Sequence, residues 1–444
     1  MLTFGTTQSI GVFNIEFLRY FNTSNAAVSL VGSINLGVVL GTGPLASVLM
    51  TRWSHRQVAV LGAILANMGL VLMPFAPNLE YMYVFYGILS GLGYSLVYVP
   101  SHVLSGLYFH KHRSLATGIA TSGSGFGAAI FPIVMYHIIQ YYGWRGSLFI
   151  VSGLNLHLLV FALLLRPVPK EIQQLGDINI ELTVVSENHV NSDHGEGTEN
   201  NQKEDCEIPV VANDKNHGDD ENEDMVTSTM LPSNEKATAK QRLTKHFLAI
   251  FTLDFMIYWL SNLFWNAGGA IVLIFFPEYA YSVGLSKESA STAYTMVGVG
   301  SCIGCVLGGV LGNIKYIDRI ILYILGNIGA GLITLVIPLK VMHTLVGLIF
   351  ICLIFGLLFG IILGLLVVVT SDLLGVDSLG DGFGYLMLAN GIGVFSGPPL
   401  AGLLIDHYGN QDPAMYLSGV FTILGGIVMS IVIVRRRLCQ STCE

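Results

Sequence analysis

Charged residues are scarce in this sequence, because only 11% of its 444 residues are Asp, Glu, Lys or Arg. Soluble domains carry about 25% of such residues, and a soluble protein of this length needs them to cover its surface. The composition therefore argues against a soluble enzyme and against a nucleic-acid-binding protein. Cysteine is also sparse, and six in the chain are too few for a disulfide framework. Hydrophobic residues instead make up 52% of the chain, which is typical of a multi-pass membrane protein.

Long runs without Asp, Glu, Lys or Arg divide the sequence into candidate membrane spans. Eleven such runs have at least 20 residues, the length of a helix that crosses a bilayer. They are 20–51, 57–79, 81–110, 114–144, 146–165, 255–277, 289–314, 320–339, 341–371, 382–405 and 413–434. The start of the chain, 1–21, is a twelfth candidate, which we interpret as a first helix whose beginning is missing. The sequence thus predicts an all-α membrane protein with 12 transmembrane helices, the first of them truncated.

The segment 171–245 differs from the rest of the chain in its charge. It holds 17 acidic and 6 basic residues, a net charge of −11, whereas the remainder holds 12 acidic and 15 basic residues, a net charge of +3. Such a polar stretch cannot bury enough apolar surface to offset its chain entropy. We predict a disordered acidic cytoplasmic linker between an N-terminal half (1–170, helices 1–6) and a C-terminal half (246–434, helices 7–12), followed by a cytoplasmic tail (435–444).

Basic residues between the spans predict the orientation, since Lys and Arg collect on the cytoplasmic side of a membrane. Eleven of them lie in alternate connections and in the tail: Arg52, Arg56, Lys111, Arg113, Arg166, Lys170, Lys315, Arg319, Arg435, Arg436 and Arg437. Four lie in the opposite connections: Arg19, Arg145, Lys287 and Lys340. This asymmetry places both termini and the linker in the cytoplasm.

A faint repeat relates the two halves. In 52–62 and again in 315–326, two bases four residues apart are followed by Leu-Gly, in both cases between the second and third spans of a half. Two six-helix halves with weak internal similarity are typical of transporters whose binding site lies between the halves.

Four motifs carry a resemblance to a known family. The segment 106–124 contains an aromatic pair, a basic cluster, Leu-Ala-x-Gly and Gly-Ser. Tyr-Gly-Trp-Arg-Gly occupies 142–146, Leu-Arg-Pro occupies 165–167, and 396–406 reads Ser-Gly-Pro-Pro-Leu-Ala-Gly-Leu-Leu-Ile-Asp. Together these motifs resemble the monocarboxylate transporter family of the major facilitator superfamily, over most of the chain outside the linker.

The resemblance implies the major facilitator superfamily fold and a plasma-membrane solute carrier, a symporter or uniporter that works by alternating access. Its substrate would be a small organic solute, a monocarboxylate or a related amino-acid-like compound, with no cofactor, metal or nucleic acid involved. Some relatives use a single-span accessory protein. An alternative is a non-transporting relative that acts as a membrane sensor or scaffold. An integral-membrane enzyme would need a cluster of His, Cys or paired carboxylates that the spans lack, so we predict no enzymatic activity.

This sequence departs from the family where proton-coupled members carry membrane charges. A first-helix Lys of those members corresponds to Gln8 here, and an eighth-helix Asp and Arg correspond to Ser301 and Cys305. Gln and Ser do not titrate near neutral pH. The resemblance therefore predicts facilitated or weakly proton-coupled transport, and Gln8 and Ser301 remain candidates for the transport pathway.

Several other polar residues are candidates for transport. Lys111 and Arg113 stand at the start of span five, where the resemblance implies a part in the transport cycle and the alternative is a membrane anchor. Tyr98 and His102 end span four and would line the pathway.

Span seven carries a polar stripe formed by Asp254, Asn262 and Asn266, whose spacing of eight and four residues puts them on one helix face. A carboxylate inside a membrane should face a cavity or a partner. We therefore predict that Asp254 lies about two turns inside the span, as the sole plausible proton carrier. The alternative for Asp254 is a charge close enough to the cytoplasmic edge to stay hydrated, and the alternative for the two Asn is hydrogen bonding between helices.

Small residues recur along spans five and eight. Such stripes let two helix backbones approach closely, and the resemblance places these two helices together between the halves. We predict that the interface comprises Gly118, Ser122, Gly300, Gly304, Gly308 and Gly312.

Overall fold

The computed structural model describes residues 1–23, 25–109, 112–166, 252–314, 316–340, 343–376 and 378–441. All regular secondary structure within these ranges is helical. The predicted linker 171–245 and Lys111 lie outside the described residues, so the predictions for both remain predictions.

The described part of the N-terminal half contains eight α-helices, a 3-10 helix, Met73–Phe75, and a π-helical segment, Tyr83–Ser90, that joins α5 to α6. The helices are α1 (Leu2–Phe21), α2 (Asn25–Gly41), α3 (Gly43–Arg52), α4 (His55–Leu72), α5 (Leu79–Met82), α6 (Gly91–Tyr108), α7 (Arg113–Asn155) and α8 (His157–Leu164). The C-terminal half contains α9 (Leu253–Ser282), α10 (Lys287–Leu311), α11 (Arg319–Val336), α12 (Leu345–Leu374), α13 (Leu379–Tyr408) and α14 (Asp412–Ser441).

Nine helical segments of the described chain are long and apolar enough to cross a membrane, or ten if the pair α2–α3, bent by 42°, is one span. One of the nine, Arg113–Leu164, contains the fifth and sixth predicted spans in 52 residues. A straight helix of that length would measure about 78 Å, more than twice the ~30 Å of a bilayer core. Gly143 divides the segment, because its φ of 66° and ψ of 171° are not helical and suit a residue without a Cβ.

Short polar side chains fix where several helices begin. Ser54 and Gln57 form a capping box at the start of α4, and Thr252 accepts a hydrogen bond from a backbone N–H at the start of α9. Asp318 does the same for α11. Such side chains satisfy backbone donors that have no partner within the helix, so each helix begins beside its cap.

The two ends of the bundle differ in charge. The end that carries Arg52, Arg113, Arg319 and Arg435 is called the basic end here. The other end carries an aromatic cluster around Trp144, where the guanidinium of Arg145 lies 4.9 Å from the centroid of the Trp144 ring. Basic residues are therefore more numerous at the basic end than at the other, which carries Arg19, Arg145, Lys287 and Lys340.

Candidate functional site

A cavity of about 130 Å³ lies between the two halves. Helices α1, α2, α6 and α7 line it from the N-terminal half, and α9, α10, α12 and α13 line it from the C-terminal half. Its lining residues are Phe4, Gln8, Leu36, Leu40, Tyr98, Ser124, Gly125, Ala128, Trp265, Asn266, Ala270, Leu273, Ile274, Tyr294, Val297, Gly298, Ser301, Phe359, Leu363, Leu366, Met387, Asn390 and Val394.

The polar groups of the cavity are all uncharged. Four of the residues proposed from the sequence line it: Gln8, Tyr98, Asn266 and Ser301. Asn266 donates a hydrogen bond from Nδ2 to Oδ1 of Asn390, over 2.7 Å. Among the described lining residues none is Asp, Glu, Lys, Arg or His, so this wall offers amide, hydroxyl and indole groups to a solute.

Aromatic rings occupy both sides of the cavity. Trp265 and Phe359 have ring centroids 4.8 Å apart, and Phe4 and Tyr98 have theirs 5.3 Å apart. Trp265 is fully buried, and its indole N–H has no hydrogen-bond partner among the described residues. A buried donor without a partner is costly, so this N–H is an unsatisfied polar group in a residue that lines the cavity.

The sequence interpretation missed Asn390 and Phe359. Asn390 is an amide inside an otherwise apolar run, and that signal could have identified it. Phe359 had no such signal, because an aromatic residue in a membrane helix is ordinary.

Two close helix contacts join the halves beside the cavity. In the α2–α13 seam, a Cβ placed on Gly391 would lie 2.5 Å from Cα of Gly41. In the α7–α10 seam, a Cβ on Gly309 would lie 3.2 Å from Cα of Gly118, and one on Gly125 would lie 2.6 Å from the backbone N of Cys302. Glycine is needed at these points because two backbones meet there.

The predicted interface between spans five and eight is therefore only partly correct. Gly118 lies in the α7–α10 seam, but Gly300, Gly304 and Gly308 face α12 of their own half. Residues two apart lie about 200° apart around a helix with 3.6 residues per turn. Gly298 and Cys302, two residues to either side of Gly300, consequently face α7 instead.

The two remaining interface residues differ from each other. A Cβ on Gly312 would meet Ser114 of the N-terminal half and Leu365 of α12, so this glycine lies at the junction of three helices. The hydroxyl of Ser122 donates to the carbonyl of Ile119 in its own helix, which does not test its place at the interface, so its role there remains a prediction.

Below the cavity, toward the basic end, α6 presents one face to the C-terminal half. His102 follows the cavity residue Tyr98 by one turn and stacks on Phe383, with centroids 5.9 Å apart and planes at 11°. One turn further, a Cβ on Gly106 would lie 2.9 Å from the side chains of both Leu379 and Val367. His102 therefore lies under the cavity, not in its lining.

Polar contacts close the basic end between the halves. Arg113 donates from Nε to the carbonyl of Gly106 over 2.8 Å and from Nη1 to Oγ of Ser371 in the other half. Ser47 donates to Oδ1 of Asp381 across the halves, over 2.6 Å. Arg113 is thus a contact between the halves, one that lies away from the cavity.

Asp254 was predicted two turns inside its span, and this prediction is wrong. The described part of α9 begins at Leu253, so Asp254 stands in the first turn, at the basic end. Its carboxylate oxygens lie 3.4 Å from Nε of Arg435 and 3.5 Å from Nε of Arg436. A carboxylate is favoured there by the helix N-terminus as well as by the two guanidinium groups.

The predicted polar stripe is therefore divided. Asn266 lines the cavity, whereas Asn262 is buried and donates from Nδ2 to the carbonyl of Tyr258 within its own helix. Asp254 lies in neither position, because two further turns of helix separate it from Asn262.

Comparison with solved structures shows the class of fold. The proton:xylose symporter XylE bound to 6-bromo-6-deoxy-D-glucose aligns with a TM-score of 0.63 at 16% identity, over 96% of this chain and 92% of that one. FucP, described as a major facilitator superfamily transporter in the outward conformation, aligns with a TM-score of 0.63 at 15% identity, over 97% and 96% of the two chains. The family model of the Major Facilitator Superfamily matches residues 1–384 and 255–441. The chain therefore has the fold of that superfamily and is a multi-pass membrane protein.

Relatives in sequence show which family of the superfamily the chain belongs to. Monocarboxylate transporter 12-B of Danio rerio is 30% identical over 447 residues, which cover 99% of this chain and 85% of that protein. Monocarboxylate transporter 14 of Homo sapiens is 28% identical over 447 residues, which cover 96% and 86% of the two proteins. The chain belongs to the monocarboxylate transporter family of the major facilitator superfamily.

Proposed function

We propose that this protein carries a small organic solute across the plasma membrane by alternating access. The solute belongs to the monocarboxylates or to related amino-acid-like compounds, as the family membership suggests. The observation that supports this proposal is the cavity, because residues of both halves line it and the contacts between the halves close the basic end beneath it. A solute bound there leaves on the basic side once those contacts part.

The orientation forms part of the same proposal. Both termini and the segment 171–245 face the cytoplasm, since eleven bases against four favour that side. In this orientation the closed basic end faces the cytoplasm.

Transport is facilitated or only weakly coupled to protons. The described lining of the cavity contains no acidic, basic or imidazole side chain that could carry a proton beside the solute. Asp254 lies at the basic end beside Arg435 and Arg436, away from the cavity, so it is not placed to carry a proton together with the solute.

Uptake by the purified chain in proteoliposomes tests the proposal. Vesicles preloaded with an unlabelled organic acid or amino acid should accumulate the labelled compound by counterflow, without a proton gradient. A gradient of one pH unit is worth about 1.4 kcal/mol per proton and should change the accumulation by much less than tenfold. No counterflow across a broad panel would favour a non-transporting sensor or scaffold. Uptake by the chain alone would also show that no single-span accessory protein is required.

A further inference from the structure

The lining of the cavity restricts the charge and shape of its solute. We propose that the cavity binds a solute without net charge, one that has a flat apolar body and presents a hydrogen-bond acceptor, such as an amide carbonyl oxygen, to the indole N–H of Trp265. This inference narrows the proposed substrates to those without net charge and excludes monocarboxylate anions. Transport of this solute rests on the proposed function, whereas its binding does not.

Trp265 is the reason that the solute should present a hydrogen-bond acceptor. Its side chain is fully buried and lines the cavity, and its N–H has no partner among the described residues. A solute oxygen at this donor would satisfy a group that is otherwise left without a hydrogen bond. Asn266, Asn390 and Gln8 supply further neutral donors and acceptors to the same space.

The flat apolar body follows from the aromatic walls. Trp265 and Phe359 form one wall, and Phe4 and Tyr98 form another. The cavity volume of about 130 Å³ is close to the ~150 Å³ of an engineered apolar cavity that accepts benzene. A single aromatic ring therefore matches both the size and the lining.

The described lining of the cavity disfavours a charged solute, because it has no side chain of opposite charge. An anion would lose its hydration without a cation in the described lining to replace it. Arg113 is engaged at the basic end by Gly106 and Ser371. A cation would meet aromatic faces, which attract it, but would find no carboxylate in the described lining.

Benzamide, benzoate and benzamidinium test the charge preference, because they share one shape and carry charges of zero, −1 and +1. Their binding to the purified full-length chain is measured by isothermal titration calorimetry at pH 7.5. We expect benzamide to bind at least tenfold more tightly than either ion. Tighter binding of benzoate or benzamidinium, or no binding of any of the three at millimolar concentration, would overturn the inference.

Two pairs of variants localise the effect. Trp265→Phe retains an aromatic ring and removes the N–H, so benzamide binding should weaken at least fivefold. Its control is Trp259→Phe, because the indole of Trp259 already donates to the carbonyl of Tyr385 and lies outside the cavity lining. Equal effects of the two substitutions would refute the role of Trp265.

Gln8→Lys introduces a cation into the lining and should shift the preference toward benzoate at least tenfold, whereas Gln8→Met should not. No shift with Gln8→Lys would show that these ligands bind elsewhere, against the inference. Binding without counterflow would contradict the proposed function alone, and transport of solutes that bind only as anions would contradict this inference alone.

Discussion

Two adjacent glycines of α10 allow the movement of the halves to be separated from the stability of the fold. A Cβ on Gly309 would lie 2.8 Å from the carbonyl oxygen of Ser114 and 3.1 Å from Cα of Leu115, both in the other half. A Cβ on Gly308 would lie 2.8 Å from the carbonyl oxygen of Ile361, in α12 of the same half. All three obstacles are backbone atoms, so neither clash is relieved by a side-chain rotation.

The two clashes should cost similar free energies but be relieved in different ways. Overpacking of this kind costs about 1–3 kcal/mol. For Gly309→Ala the halves can part at the basic end, which is the movement that transport requires. The ratio of closed to open molecules should therefore fall by about 5- to 150-fold, since 1.4 kcal/mol corresponds to about tenfold. For Gly308→Ala the half itself must deform, so the free energy of unfolding should fall.

Spin labels at two exposed positions of the basic end measure this difference. Trp53 is 47% exposed in the N-terminal half and Tyr316 is 98% exposed in the C-terminal half. Pulsed electron paramagnetic resonance should show longer distances for Gly309→Ala with a nearly unchanged melting temperature, and the reverse for Gly308→Ala. A lower melting temperature for Gly309→Ala with an unchanged distance distribution would refute the reasoning, because the seam would then be a permanent part of the fold.

Three further predictions concern charged groups. Arg113→Ala should abolish uptake with surface expression preserved. Arg113→Lys should retain uptake only in part, because an ammonium lacks the planar fork of donors. Full uptake by the Ala variant would reduce Arg113 to an anchor. Asp254→Asn should retain uptake and lower the free energy of unfolding by about 0.2–1 kcal/mol, since its partner arginines are nearly half exposed; loss of proton-driven uptake in this variant would restore Asp254 as the carrier. A protease added to intact cells should leave 171–245 uncut, and cleavage from outside would reverse the orientation.

The fold class was predictable from the sequence because both of its signals are local. Runs of apolar residues indicate the membrane spans, and short motifs indicate the superfamily. Helix faces were harder to predict. The spacing of Gly300, Gly304 and Gly308 identified a surface of close approach, but spacing alone does not indicate which neighbour approaches, and α12 occupies that surface. Asp254 was misplaced because its depth depends on where α9 begins, which the cap at Thr252 determines.

The cavity residues likewise include some that the sequence could identify and some that it could not. Gln8, Tyr98, Asn266 and Ser301 were accessible to prediction because polar groups in apolar spans attract notice. The aromatic walls were not, since aromatic residues occur throughout such spans and only their packing brings Trp265 and Phe359 together.

Charged groups take part in the contacts between the halves at the basic end, whereas the described lining of the cavity is neutral. Arg113 and Asp381 each make a contact across the halves at the basic end, and charged side chains are absent from the described lining of the cavity. A neutral solute adds no charge that these contacts must balance, so the closed basic end has no electrostatic reason to differ between the empty and the loaded carrier. Such a carrier should return empty about as readily as loaded, which is the behaviour of a uniporter rather than of an obligate exchanger. Efflux into solute-free medium should accordingly proceed at a rate within severalfold of exchange, and exchange that is faster by orders of magnitude would mean that the bound solute helps to part the halves.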